Sequence, residues 1–183
     1  MHIGIEQRKW SFCSKYDFTS SSSSWSARKA FFSFNDRLVI YDESGSIAAR
    51  IKSHFFIFRP KYTLVIGEEV YAFTCEKYWR GVYLCTNGAL DYRLYHHKKR
   101  DYSIFLGGRQ IAAFSKSMVS IGSGDTYHIR VDDDADLLVV ICLALTVDTS
   151  TSEDKDTTIT FDLGNFGPED RPFDKAWKPN KRA

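Results

Sequence analysis

The chain has 183 residues, of which 43% are hydrophobic and 15% aromatic, and its formal net charge is +2. This length fits one domain with tails and is sufficient to bury a substantial core. So balanced a charge argues against nucleic acid as the partner.

The four cysteines, Cys13, Cys75, Cys85 and Cys142, form no CxxC pair. A disulfide framework is therefore not expected, and a reducing, intracellular compartment is predicted. The N-terminal sequence MHIGIEQRKWSF lacks the apolar run of a signal peptide. No apolar segment reaches the length of about 20 residues that a membrane-spanning helix needs. We expect a cytoplasmic protein that is at most peripheral to a membrane.

Residues 1–30 have a mixed composition and include a run of five serines at 20–24. Such a run cannot bury apolar area, so it is expected to form a mobile loop. A phosphorylation target is the alternative interpretation of these serines.

From residue 31 onward the sequence repeats a hairpin pattern, in which an alternating strand, a glycine-containing turn and a second strand follow one another. Turns are predicted at 42–46, 67–69 and 107–108, where glycine can adopt a positive φ. The pair Asn87 and Gly88 predicts a further hairpin. In total, about nine or ten antiparallel strands are expected before residue 132.

The run DLLVVICLALTV at 136–147 has only Thr146 as a polar residue after its first position. A segment that is apolar on every side must be buried on every side. Val139, Val140 and Ile141 favour a strand, whereas the leucines favour a helix, and the preceding carboxylates could cap one. A central hydrophobic helix over about residues 135–147 is predicted, with a strand as the alternative.

These elements predict a mainly β (α+β) fold, because a sheet of so many strands tends to curl and close and the apolar helix needs cover all round. The predicted organisation is an N-terminal segment at 1–30 and a β-barrel with a central helix at 31–163. Residues 157–161 could add one more strand to it. Residues 164–183 are expected to be a poorly ordered polar tail, with an interaction role as the alternative.

This combination resembles the tubby C-terminal-like superfamily, which includes tubby proteins, phospholipid scramblases and LURP-one-related proteins. The likeness covers about residues 31–147 and is greatest for the LURP-one-related family. It is carried by the segments RLVIYDESG at 37–45, FRPKYTLV at 58–65 and YHIRVDDDAD at 127–136. The resemblance implies a closed antiparallel barrel of about twelve strands around a central hydrophobic helix. The polar tail departs from the family, in which the helix usually lies close to the end.

Catalytic motifs are not evident in this sequence. None of the five histidines is paired with a cysteine or carboxylate at metal-ligand spacing. Neither a nucleophile elbow nor a phosphate-binding P-loop occurs. We therefore expect a protein that is not an enzyme and that has no resident cofactor.

An acidic cluster precedes the predicted helix and consists of Asp132, Asp133, Asp134 and Asp136. Hard cations bind several carboxylate oxygens, so Ca²⁺ is one interpretation, and scramblases are similar in carrying an acidic segment at a comparable place. The spacing is not that of an EF-hand. Capping of the helix is the favoured interpretation.

Basic residues provide the main candidate for a binding site, because Lys and Arg on a rigid scaffold bind phosphate groups. The candidate residues are Arg59, Lys61, Lys98, Lys99 and Arg100. The resemblance adds that tubby domains bind phosphoinositide head groups through basic residues on the barrel surface. A solvated hairpin loop is the alternative interpretation of residues 96–100.

The sequence thus predicts a non-catalytic binding module that engages phosphoinositide or an anionic membrane surface. The first alternative is a scaffold or regulatory protein whose protein partner binds exposed loops, the tail or aromatic residues such as Trp79 and Trp177. Scramblase-like lipid transfer ranks last, because the apolar segment is too short to cross a bilayer.

Overall fold

The computed structural model describes residues 2–10, 13–19, 24–29, 36–54, 61–77, 80–118, 125–153 and 169–180. Within these ranges lie twelve β-strands, one α-helix and a short 3-10 helix (Lys98–Arg100). The strands and the α-helix are β1 (His2–Trp10), β2 (Cys13–Thr19), β3 (Ser24–Lys29), β4 (Asp36–Tyr41), β5 (Ile47–His54), β6 (Lys61–Ile66), β7 (Glu69–Lys77), β8 (Val82–Thr86), β9 (Asp91–His96), β10 (Asp101–Leu106), β11 (Arg109–Met118), β12 (Asp125–Val131) and α1 (Leu137–Glu153).

Each strand pairs antiparallel with the strand before it and the strand after it in the chain. The first strand also pairs with the last: Ile5 of β1 lies opposite Tyr127 of β12 on one side and opposite Phe18 of β2 on the other. The strand order therefore closes on itself in a barrel, with no edge strand among the described residues. The predicted mainly antiparallel sheet with a single apolar helix is confirmed.

The sheet begins earlier than the sequence predicted, because β1, β2 and β3 lie within the segment at 1–30 that was placed outside the barrel. Tyr16 and Phe18 of β2 are buried while Asp17 between them is half-buried. Such strands need only every second residue to be apolar, and over so few residues this alternation does not stand out from a mixed composition. Ser24 opens β3, and the rest of the predicted serine loop lies outside the described residues.

The apolar run is a helix, as predicted, and every residue from 139 to 148 is buried. Asp136 caps it, because its Oδ1 accepts the N–H groups of Leu138 (2.9 Å) and Val139 (3.1 Å). The helix runs on to Glu153, beyond the predicted end at 147. The hydroxyl of Thr149 donates to the Leu145 carbonyl at 2.9 Å, so this polar side chain is satisfied within the helix itself.

Aromatic side chains on the inner faces of the strands surround α1. On β6 and β7, for example, buried residues alternate with more exposed ones, as in a sheet with one solvated face. The ring of Phe73 lies edge-on to that of Tyr62, with centroids 6.1 Å apart, and is stacked with that of Tyr83 at 5.5 Å. This packing accounts for the aromatic enrichment of the strand region.

A buried ion pair joins the C-terminal half of α1 to the strands. Lys116 Nζ of β11 lies 2.5 Å from Asp148 Oδ1, and the Tyr16 hydroxyl of β2 donates to Asp148 Oδ2 at 2.9 Å. Both charged side chains are almost fully enclosed, with 10% and 3% of their surface exposed. Each charge therefore depends on the other, since an isolated buried charge is costly.

Within the predicted poorly ordered tail at 164–183, the described residues 169–180 are held against the barrel. Residues 169–180, here called the strap, have no regular secondary structure but contact the barrel. Arg130 Nη1 donates to the Trp177 carbonyl at 2.9 Å, and the Asn180 N–H donates to Asp132 Oδ1 at 2.8 Å. The strap is held by partners that are distant in sequence, which a local analysis of composition does not reveal. The possible strand at 157–161 lies outside the described residues.

Across the part of the chain that the structure describes, no helix combines the length and the apolar character needed to cross a membrane.

The buried ion pair generates a stability prediction. Asp148→Ala is expected to lower the free energy of unfolding by about 3–5 kcal/mol, because it removes the carboxylate that Lys116 Nζ contacts at 2.5 Å in an almost fully enclosed site. The measurement is urea denaturation followed by far-UV circular dichroism. The control is Asp91→Ala, which removes an exposed carboxylate and should change stability by less than about 0.5 kcal/mol. Equal, small effects of the two substitutions would contradict the buried pair.

Candidate anion-binding site

Basic residues gather at one end of the barrel. Since successive antiparallel strands alternate in direction, the start of β6, the connection from β7 to β8 and the connection from β9 to β10 all lie at the same end. We call this the basic end. Its residues are Lys61, Lys77, Arg80, Lys98, Lys99 and Arg100.

The structure brings most of the predicted basic residues to this end but does not join them in one pocket. Lys61 and Lys98 are exposed, and Arg100 is half-buried. Three strand spacings, or roughly 15 Å, separate β6 from β9. For Lys99 the structure describes the backbone within the 3-10 helix, and Arg59 lies outside the described residues.

Two basic residues that the sequence pattern did not indicate lie between these positions. Lys77 ends β7 and Arg80 follows in the connection to β8. Both bind the strap: Lys77 Nζ lies 2.5 Å from Asp170 Oδ2, and Arg80 Nη1 lies 2.6 Å from Asp170 Oδ1. In the sequence, only the segment KYWR at 77–80 brings these two basic residues close together. Their partner carboxylate is about ninety positions away, so no local pattern indicates the contact.

Gly81 holds the two connections of the basic end against each other. Its carbonyl accepts the His96 N–H at 2.8 Å. A Cβ on this residue would lie 2.5 Å from the His96 Cβ, and its φ is +59°, so the position requires glycine on both counts. The close approach fixes the Lys77–Arg80 connection beside the loop that carries Lys98.

The loop between β9 and β10 is also braced from within. The His96 ring stacks on that of Tyr102, and Tyr102 stacks on Phe114, each at a centroid distance of 4.5 Å. The His97 N–H donates to the Asp101 carbonyl at 2.8 Å. Arg100 closes the 3-10 helix with a positive φ of 63°, a conformation that non-glycine residues adopt rarely. The backbone donors of this loop are therefore held in place.

His97 lies under the strap and is only 1% exposed. Its Nε2 forms a hydrogen bond with Ser103 Oγ at 2.7 Å, and its ring lies 5.0 Å from that of Phe173. Glu169 Oε2 is 3.9 Å from its Nδ1. Burial lowers the pKa of His97, and the nearby carboxylates of Glu169 and Asp101 oppose this only in part.

The strap also covers an outer face of the sheet next to the basic end. The Arg171 guanidinium lies 4.1 Å from the ring centroid of Phe105 and 5.8 Å from that of Tyr95, which are cation–π distances. The hydrogen bond from Lys77, and to a lesser extent that from Arg80, lowers the pKa of Asp170, so its carboxylate is charged at neutral pH.

The acidic cluster is engaged by groups of the protein itself. Arg109 donates from Nη1 to Asp132 Oδ2 and from Nη2 to Asp134 Oδ2, both at 2.9 Å. Asp136 caps α1, in line with the favoured interpretation of this residue. The Asp133 N–H donates to the Asn180 carbonyl at 3.1 Å. A Ca²⁺ ion would have to compete with Arg109, and within the described ranges no group of three or more His, Cys, Asp or Glu side chains is arranged to hold a metal.

Two thiols among the described residues are poorly suited to nucleophilic chemistry. Burial raises the pKa of Cys85 to about 12 and also raises the pKa of Cys142. The thiolate is the reactive form of cysteine, so both side chains act as small core residues.

A closed set of antiparallel strands around one buried apolar helix, with charged groups at the strand ends, defines a mainly β protein of the tubby-like class. The family model described as LURP-one-related matches residues 5–148, which is most of the chain. The chain therefore belongs to the LURP-one-related family, as the resemblance predicted. The match starts in β1 and thus includes β1, β2 and β3, which the sequence pattern did not place in the barrel. Neither the comparison with curated proteins nor that with solved structures found a match.

The buried His97 generates a pH prediction. Because its folded pKa lies below the ordinary value of 6.5, the unfolded chain binds a proton in a pH range where the folded chain does not. This contribution to stability is complete above pH 6.5 and is lost as the pH falls toward the folded pKa.

His97→Gln should therefore flatten the dependence of unfolding free energy on pH below about 6.5, measured by urea denaturation in steps of pH. His128→Gln, which replaces an exposed histidine, should leave the wild-type slope. An unchanged slope in His97→Gln would show that His97 titrates alike in the folded and unfolded chain.

Proposed function

We propose that this chain is a non-catalytic, intracellular β-barrel module that binds anionic membrane head groups through its basic end. The observation that supports this most directly is the placement of the basic residues. Four residues from three separate segments, Lys61, Lys77, Arg80 and Lys98, lie at one end of a rigid scaffold. The net charge of the whole chain is only +2, so attraction to an anionic surface depends on where the basic residues lie.

The exposed lysines suit a membrane surface better than an enclosed pocket. Lys61 and Lys98 are both exposed; Lys61 begins β6, and Lys98 follows β9, which is three strand positions away in the sheet. Dispersed lysines of this kind attract an anionic surface through the summed field, with about 1 kcal/mol for each lysine close to it. The attraction falls off within a Debye length and is weakened by salt.

A protein partner is the second candidate, and a specific observation favours it. The exposed large hydrophobic residues among the described positions are Ile47, Val70 and Leu90. They lie at the β4–β5, β6–β7 and β8–β9 connections, which share the end opposite to the basic end. Exposed apolar residues that share one end of the barrel offer a contact surface, so this end is where a scaffold function would bind its partner.

Scramblase-like lipid transfer is supported least. Insertion into a bilayer would require α1 to leave the strands that bury its residues 139–148. It would also expose the Lys116–Asp148 pair to hydrocarbon, which is costly for both charges.

The proposed function predicts charge-dependent binding to vesicles. Lys61→Ala combined with Lys98→Ala should weaken binding to phosphoinositide-containing vesicles by about 2 kcal/mol, or roughly 30-fold at low salt. Arg100 is left unchanged, because its positive φ and its contacts would add a structural effect. The measurement is co-sedimentation with phosphatidylcholine vesicles that contain or lack phosphoinositide, at low and high salt.

The matched control is Lys175→Ala combined with Lys178→Ala, which removes two exposed lysines from the strap beyond the basic end. This control should bind within about threefold of the wild-type chain, since its charges lie farther from the bound surface. Equal losses in the two double variants would assign the binding to net charge rather than to the basic end. Absence of binding to every vesicle would leave the protein-partner function.

A further inference from the structure

Two adjacent carboxylates of the strap lie where an anionic ligand of the basic end would lie. Asp170 is bound by the Lys77 ammonium at 2.5 Å and by the Arg80 guanidinium at 2.6 Å. Glu169 Oε1 accepts the backbone N–H of Lys98 at 3.0 Å. Oxygen atoms of the chain itself thus occupy three donor groups of this end.

We propose that Lys77, Arg80 and the Lys98 N–H form a binding site for a phosphate group, and that Glu169 and Asp170 are an internal competitor for this site. The inference rests on the proposed function when the phosphate belongs to a lipid head group. A soluble polyphosphate compound would use the same three donors.

The three donors suit a phosphate group as well as they suit the carboxylates. Arg presents N–H groups in a planar fork that matches phosphate oxygens, and Lys supplies a compact point charge. The Lys98 N–H is fixed by the braced loop, and the contact between Gly81 and His96 fixes the neighbouring connection. The donors therefore need no rearrangement to exchange one anion for another.

The carboxylates are bound in a way that permits their displacement. About half of the Lys77 and Arg80 side-chain surface remains exposed, at 51% and 48%. Ion pairs in contact with water contribute little to stability, because solvent already stabilises the separated charges. A ligand with more negative charge than one carboxylate can replace Asp170 at small cost.

The far half of the strap has independent anchors on the barrel. Asn180 is bound by Asp132 and Asp133, and the Trp177 carbonyl accepts from Arg130. Local release of residues 169–171 therefore leaves the strap attached. Tethering keeps the two carboxylates at a high effective concentration near the site, so they compete with ligand even though each contact is weak.

The test removes the competing charges with nearly isosteric changes, Glu169→Gln combined with Asp170→Asn. Binding is measured in two arms, one with phosphoinositide-containing vesicles and one with inositol hexakisphosphate in solution. The variant should bind roughly 10- to 30-fold more tightly than the wild-type chain in both arms, because two basic side chains are opened to the ligand. An unchanged affinity in both arms overturns the inference.

The matched control is Glu68→Gln combined with Asp91→Asn, which removes two exposed carboxylates at the opposite end and changes the net charge by the same amount. Its affinity should rise by less than about threefold, since screening weakens charges beyond a Debye length. Equal gains in the two variants would attribute the effect to net charge and overturn the inference.

A double-mutant cycle tests the named donors. Lys77→Gln combined with Arg80→Gln should lower the affinity of the wild-type chain less than that of the Glu169→Gln, Asp170→Asn variant, because in the wild-type chain Asp170 competes for these groups. The same pair should abolish the gain in the Glu169→Gln, Asp170→Asn background. A gain that persists without Lys77 and Arg80 overturns the site.

The two arms separate this inference from the proposed function. A gain with inositol hexakisphosphate and no binding to any vesicle would support the site and contradict the membrane function. Wild-type vesicle binding that neither substitution pair changes would support the membrane function and contradict the internal competitor. Asp170→Asn alone, checked for cooperative thermal unfolding, should give part of the gain and replaces the double variant if that variant does not fold.

Discussion

Burial of one apolar helix is the constraint on which the rest of this structure depends. Residues 139–147 of α1 are buried on all sides, and a helix can occupy this position because it satisfies its own backbone hydrogen bonds. The strands must then cover every side of it, and the pairing of β1 with β12 completes that cover. The same pairing leaves no sheet edge among the described strands, which protects a β-rich chain from edge-to-edge association.

A helix fills the centre of the barrel, so the groups that we propose to bind a partner lie at the strand ends and on the loops that connect them. The two ends differ in chemistry. One end carries lysines and arginines from several connections, and the other carries exposed Ile47, Val70 and Leu90. The strap links the two ends along the outer face of β9 to β12, from Asp170 beside Lys77 to Asn180 beside Asp132. The strap therefore contacts both ends of the barrel within a single stretch of chain.

The sequence predicted those features of the fold that depend on local patterns. The helix followed from an uninterrupted apolar run, its cap from Asp136, and the hairpins from glycine turns between alternating strands. The start of the barrel could not be placed, because a strand such as β2 shows only Tyr16 and Phe18 as inward residues. The strap and its Asp170 contacts were missed because they join residues about ninety positions apart, and no pattern in a single sequence records such a pairing. For the same reason the sequence predicted Lys98 as a binding residue but did not predict Lys77 or Arg80.

Residue-resolved native-state hydrogen exchange tests the enclosure of α1 most directly. We expect amides at 141–147 to exchange only through global unfolding, with the free energy and denaturant dependence of the whole chain. The Lys98 amide donates to Glu169 of the strap, and the Asn180 amide is part of the strap. Both should exchange through local openings of lower free energy. Helix amides that exchange by a low-energy opening insensitive to denaturant would contradict the central claim, because they would show that the strands do not enclose the helix.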